Sequence, residues 1–140
     1  MKKINLQIVL MVLQLTLTTI LLFSMIGCKK ETPKHDFTLH YHAHCKSSPF
    51  KVRYVSGLNE NKVEFVISEE TVSGNTFDKT ITFNTSPDNG WQPYIEATNT
   101  EKQNNDSLRV SITLNGQTTT EFLRFNNEVR TIRNTVILAD

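Results

Sequence analysis

The stretch "SLRVSITLNGQTTTEFLRF", Ser107–Phe125, decides the fold. Leu108, Val110, Ile112 and Leu114 alternate with Arg109, Ser111 and Thr113. Successive side chains leave a strand on opposite faces, so this alternation predicts a half-buried strand. Asn115-Gly116 then interrupts it. Both central residues of a type I′ turn need positive φ, and this dipeptide accepts that conformation readily. Gln117 to Phe125 returns from the turn, so the stretch is predicted to be an antiparallel hairpin.

The same period of two extends outward in both directions. Strands are predicted over Phe37–Lys46, Phe50–Val55, Lys62–Ser68, Phe77–Phe83, Gln92–Thr98 and Val129–Leu138. Between them lie "EETVSGNT", "NTSPDNG" and "NTEKQNND", which are rich in turn residues. Pro93 lacks a backbone N–H and points to an edge or a strand start. No segment after the N-terminal run has a 3.6-residue period. Short strands at regular spacing predict an all-β fold. Seven to eight of them in about a hundred residues suit an immunoglobulin-like antiparallel β-sandwich. The paired core cysteines of true immunoglobulin domains are missing. Phe65, Ile67, Ile81, Phe83, Trp91, Ile95, Val110 and Ile112 are expected in the core.

The N-terminus addresses location. Met1-Lys2-Lys3 precedes a largely apolar run from Ile4 to Ile26, then small residues. A charged start, an apolar centre and a small residue before a cut site describe a signal peptide. The run is also long enough for an uncleaved membrane anchor. Ile26-Gly27-Cys28 resembles a bacterial lipobox, with Met25 where Leu is usual. That resemblance implies cleavage before Cys28 and lipidation of its sulfur. The expected organisation is a lipoprotein signal peptide over 1–27, lipidated Cys28 and a tether over 28–36, and a β-sandwich over 37–140. Lys29, in place of the Asp that marks inner-membrane retention, points to the outer membrane of the cell envelope. "KKE" resembles the charged surface-export tags of Bacteroidetes lipoproteins.

Charge limits the choice of partner. The whole chain has 15 basic and 14 acidic residues, and removing 1–27 takes away two lysines and no acid. The remainder is near neutral, which argues against nucleic acid. With Cys28 lipidated, Cys45 is alone: a free thiol, a small buried hydrophobe or an intermolecular link. Without lipidation, Cys28 and Cys45 could pair, a link worth about 3 kcal/mol for a short loop.

"LHYHAHC", Leu39–Cys45, carries three of the four histidines, at alternate positions. His40, His42 and His44 share one face; Cys45 points to the other. Neighbouring pairs lie roughly 7 Å apart, near enough to share zinc or copper. The outer pair is too widely spaced. A third ligand would have to come from His35, Asp36 or a carboxylate on an adjacent strand. The plainer readings are a solvated strand face and a pH-responsive surface, since histidine titrates near pH 6.5. Trp91 reads as a core residue, and Arg124, Arg130 and Arg133 read as solvated strand faces. Glu69-Glu70 reads as a strand end. Asp106-Ser107-Leu108 matches a short O-glycosylation motif of Bacteroidetes. The sequence contains no P-loop, GxSxG or HExxH, so no catalytic residue and no resident cofactor is expected.

From Phe50 to about Glu121 the order of features carries a resemblance. "FKVRYVSG", "NKVEFVIS" and "KTITFN" lead to the lone Trp of "GWQPYIEATN", and then to "LRVSITLNGQTTTE". The order is similar to small envelope β-sandwich domains of the MmpS type and their lipoprotein relatives in Bacteroidetes. The resemblance implies a non-catalytic accessory protein beside a large exporter. The lipobox, the absence of a cysteine pair within the domain and the histidine strand depart from that pattern. The expected protein is therefore a non-enzymatic binding or accessory lipoprotein, held at the membrane by its lipid and contacting an envelope partner such as an exporter component. The alternative is a zinc- or copper-binding lipoprotein using His40, His42 and His44.

Overall fold

The computed structural model describes residues 14–15, 33–59, 61, 64–86 and 90–138. The chain divides into compact units over Met1–Glu31 and Thr32–Asp140, and the fold below is that of the second. Apart from Gln14 and Leu15, the signal-peptide run lies outside the described residues, as do Cys28, most of the tether and Val63.

Among the described residues eight strands form: β1 (His35–Cys45), β2 (Phe50–Asn59), β3 (Glu64–Val72), β4 (Thr76–Thr85), β5 (Tyr94–Asn99), β6 (Asp106–Leu114), β7 (Gln117–Phe125) and β8 (Thr131–Thr135). They build two four-stranded sheets, β4-β1-β6-β7 and β3-β2-β5-β8. All pairings are antiparallel. The architecture is the expected all-β antiparallel sandwich of eight strands. Consecutive strands pair only in the β2–β3 and β6–β7 hairpins; every other connection crosses between the sheets. The β6–β7 turn is the expected one, with Asn115 at φ 51° and Gly116 at φ 76°.

The core fills from the inward positions. Phe37, Leu39, Tyr41, Ala43 and Cys45 enter from β1; Phe50, Val52 and Tyr54 from β2; Leu108, Val110 and Ile112 from β6. Burying each large apolar chain contributes about 1.5–3 kcal/mol, so this alternating set is the main source of stability. Phe83, Ile95, Val110, Ile112 and Trp91 are buried as expected, and Phe65 and Ile81 pack against the core. Ile67 is the correction, being 45% exposed. It pairs with Val55 on edge strand β3, while Ser68, opposite the inward Tyr54, takes the inner face. A bulge between Val55 and Gly57 shifts the register beyond it.

Several boundaries also differ: the closing strand, expected over Val129–Leu138, spans only Thr131–Thr135. β1 starts at His35 and β2 runs on to Asn59. β3 continues through Glu69 and Glu70 to Val72, where a loop was expected. The ladder with β2 holds those polar residues, with Glu69 opposite Arg53 and Glu70 opposite Val52.

The sandwich opens at two flanks, and polar groups close each. At β3 and β4, Glu70 and Lys79 occupy inward register positions opposite Val52 and Tyr41. Lys79 Nζ lies 3.7 Å from Glu70 Oε1, and the Tyr54 hydroxyl donates to that oxygen at 2.5 Å. Burial and the adjacent Glu70 raise the Tyr54 hydroxyl above its usual pKa. At β7 and β8, the Asn134 amide donates to the Thr119 carbonyl at 2.9 Å.

Candidate functional site

β1 lies inside its sheet, between β4 and β6, so its outward residues sit in the middle of a broad face. Residues directly opposite in an antiparallel ladder share a face. The register therefore tiles this face in transverse rows. The first is Thr80, His40, Thr113 and Thr118; the second is Asp78, His42, Ser111 and Thr120. The third is Thr76, His44, Arg109 and Phe122. A fourth follows at the end of the sheet, where the Lys46 N–H donates to the Ser107 carbonyl and Ser107 faces Arg124.

The three histidines thus occupy one face, as the spacing required, but three different surroundings. His40 is flanked by threonines. His42 Nδ1 lies 2.8 Å from Asp78 Oδ1, both partly exposed. His44 has the cation Arg109 directly opposite, which opposes a metal ion there. Asp78 is the neighbouring-strand carboxylate that a shared ion would require. Among the described residues, no group of three or more His, Cys, Asp and Glu side chains is placed to hold a metal.

The row Asp78, His42, Ser111 has the residue order of a proton relay. Among the described residues no hydrogen bond joins His42 to Ser111, and Ser111 is nearly buried. β1 and β6 are both interior strands, so their backbone N–H groups serve the ladders and are not aimed outward at a developing oxyanion.

Cys45 points inward, away from the histidines, and is buried and free. Its Sγ lies 3.9 Å from both carboxylate oxygens of Asp106 and 3.8 Å from the Ser47 hydroxyl. Burial is the main influence raising its pKa; Asp106 adds to it and Ser47 opposes it. A buried thiol neither joins a metal site on the outer face nor locks two chains together. Asp106 is itself buried. It accepts from the Ser47 N–H at 3.3 Å, from the Ser107 N–H at 2.6 Å and from the Ser47 hydroxyl. It therefore pins the β1–β2 turn to the start of β6.

Next to Asp106 is a groove of about 680 Å³, bordered by Lys46, Ser107, Phe122, Arg124, Asn126 and Glu128, the last paired with Arg130. Lys46 Nζ donates to the Asn105 carbonyl at 3.0 Å. Arg124 lies over the Phe122 ring, 5.6 Å from its centroid. The groove walls are tied together. Asn126 Oδ1 accepts from the Asn105 N–H at 3.3 Å, and the Asn127 N–H donates to the Gln103 carbonyl at 2.8 Å. Beneath them, buried Asn99 donates to the carbonyls of Glu101 at 2.6 Å and Glu128 at 2.9 Å, and accepts from the Arg130 N–H.

Trp91 is a core residue, its ring 5.0 Å from that of Phe65. Arg133 lies 3.6 Å over the Tyr94 ring and Arg130 pairs with Glu128 at 2.7 Å. Of the three arginines read as solvated, Arg124 alone borders the groove. Sequence reasoning did not single out Lys46, Arg109 or Phe122. The available signal was Phe122, a large aromatic at an outward position between Thr120 and Arg124. Comparisons with protein-family models, with curated proteins and with solved structures found no match to this chain, so the reading of function rests on its own geometry.

Proposed function

We propose that the chain is a non-enzymatic envelope lipoprotein. Cys28 carries the lipid, residues 28–36 form the tether, and the sandwich binds an envelope component through the outer face of the β4-β1-β6-β7 sheet. One contrast carries the binding assignment. On the other sheet Lys51 and Arg53 are neutralised in place, both by Glu69 at 3.4 and 3.6 Å and Arg53 also by Glu96 at 3.5 Å, while Arg133 is spent on the Tyr94 ring. Among the described residues, Lys46, Arg109 and Arg124 have no carboxylate within ion-pair reach. A face with uncompensated charge and an exposed aromatic is built for an external partner. An accessory place beside an exporter, as the MmpS-type resemblance implies, fits this reading.

Metabolic labelling with a palmitate analogue tests the anchor. The parent should incorporate the label and partition with membranes; Cys28→Ser should do neither. Unlabelled parent protein, or label retained in the variant, would overturn it.

The second reading is zinc or copper capture at His40 and His42. The Asp78 carboxylate beside His42 favours it, either as a ligand or as the partner that orients the imidazole. Titration of either ion into the parent and into the His40→Ala/His42→Ala/His44→Ala variant decides. Micromolar 1:1 binding lost in the variant supports a site. Equal, weak binding by both leaves the histidines as a solvated face.

A further inference from the structure

The uncompensated cations are not scattered over the face. They gather at one end of the sheet, around one ring. Phe122 is 53% exposed, with Arg109 directly opposite on β6 and Arg124 over its ring. Lys46 and Ser107 continue the same surface into the groove, and Asn126 stands across it. We propose that this end of the sheet binds an acidic glycan, a saccharide chain bearing carboxylate groups. The inference deepens the binding role assigned above.

Three features select that ligand. The apolar C–H face of a sugar ring can stack on an aromatic side chain, and Phe122 offers one at the mouth of a groove. The surrounding amide and hydroxyl groups suit sugar hydroxyls, which both donate and accept. Arg109, Arg124 and Lys46 supply the charge complement to carboxylates, the two arginines with paired donors that match carboxylate geometry. The site is also rigid, because Asn99 and Asp106 fix the turns that wall it. Little ordering cost then falls on binding.

A peptide adding itself as a strand would use a free sheet edge, whereas these groups project from the face. A phosphatidylglycerol headgroup offers negative charge but no sugar ring to stack on Phe122, so vesicles of that lipid serve as the contrast in the test.

The test uses the full-length chain in nonionic detergent micelles. Calorimetric titration would compare tetragalacturonic acid, its neutral tetragalactose counterpart, an acidic octapeptide and phosphatidylglycerol vesicles. The proposal expects the acidic tetrasaccharide to bind at least tenfold more tightly than each of the others. Lys46→Gln with Arg124→Gln should weaken that binding tenfold or more. Phe122→Ala should weaken it by a similar factor, with the melting temperature of each variant unchanged. Equal affinity for the neutral sugar, the peptide or the vesicles would overturn the proposal, as would no binding at millimolar ligand. Failure here with intact palmitate labelling sinks the glycan site and leaves the lipoprotein reading standing.

Discussion

Cys45 and Asp106 show how single residues hold one end of the sheet in shape. Asp106 receives two backbone N–H groups and a hydroxyl in a buried position. Asp106→Ala would leave those donors without a partner, at a cost of about 2–4 kcal/mol. Urea unfolding should show the midpoint drop with an unchanged m-value. Cys45 behaves as a protected thiol. It should be inert to a thiol reagent at pH 8 in the native protein and react at once in denaturant. Its pKa is raised in the folded state, so above the ordinary value of 9.0 the unfolded chain holds fewer protons than the native one. Stability therefore falls as pH rises past that point. Urea midpoints at pH 8 and pH 10 should diverge in the parent and lie closer together in Cys45→Ala.

At the scale of elements, the hairpin and the edge strands behave differently. Gly116 sits at φ 76° in the β6–β7 turn, where a Cβ would be strained. Gly116→Ala should cost about 1 kcal/mol or more, read as a lowered melting temperature. The turn was legible because its chemistry is local to two residues. The end of β3 was not, because Glu69-Glu70-Thr71 is polar and is held by pairing with β2, sixteen to twenty residues earlier in the chain at Lys51–Val52–Arg53. Edge strand β3 exposes Val66 and Ile67, and the inward Glu70–Lys79 pair places charge beside it. Inward charge at an edge opposes strand addition by another chain. Glu70→Val with Lys79→Val should therefore raise the average mass in sedimentation at rising protein concentration, while Lys51→Gln should not.

At the scale of the whole molecule, the two outer faces differ in how their charges are arranged. The period of two places nearly every outward side chain in advance, which is why the sandwich and most of its core could be read from the chain. It does not say which strands are neighbours, because pairing crosses long separations. His42 and Asp78 meet across thirty-six residues, and Lys46 reaches Asn105 across fifty-nine. The grouping of Lys46, Arg109, Phe122 and Arg124 at one end exists only once β1, β6 and β7 are side by side. This gives a prediction that separates local recognition from bulk charge. Arg53→Gln and Lys46→Gln lower the net charge equally, on opposite sheets. Arg53 sits in an exposed ion-pair network, so its loss should cost under about 1 kcal/mol of stability. It should leave binding of the acidic tetrasaccharide and its salt dependence unchanged. Lys46→Gln should leave stability unchanged and make that binding both weaker and less salt-dependent, since one charge contact is removed. Equal losses from the two substitutions would mean that the sugar senses only the overall field of the protein, and the ordered arrangement around Phe122 would then have no part in recognition.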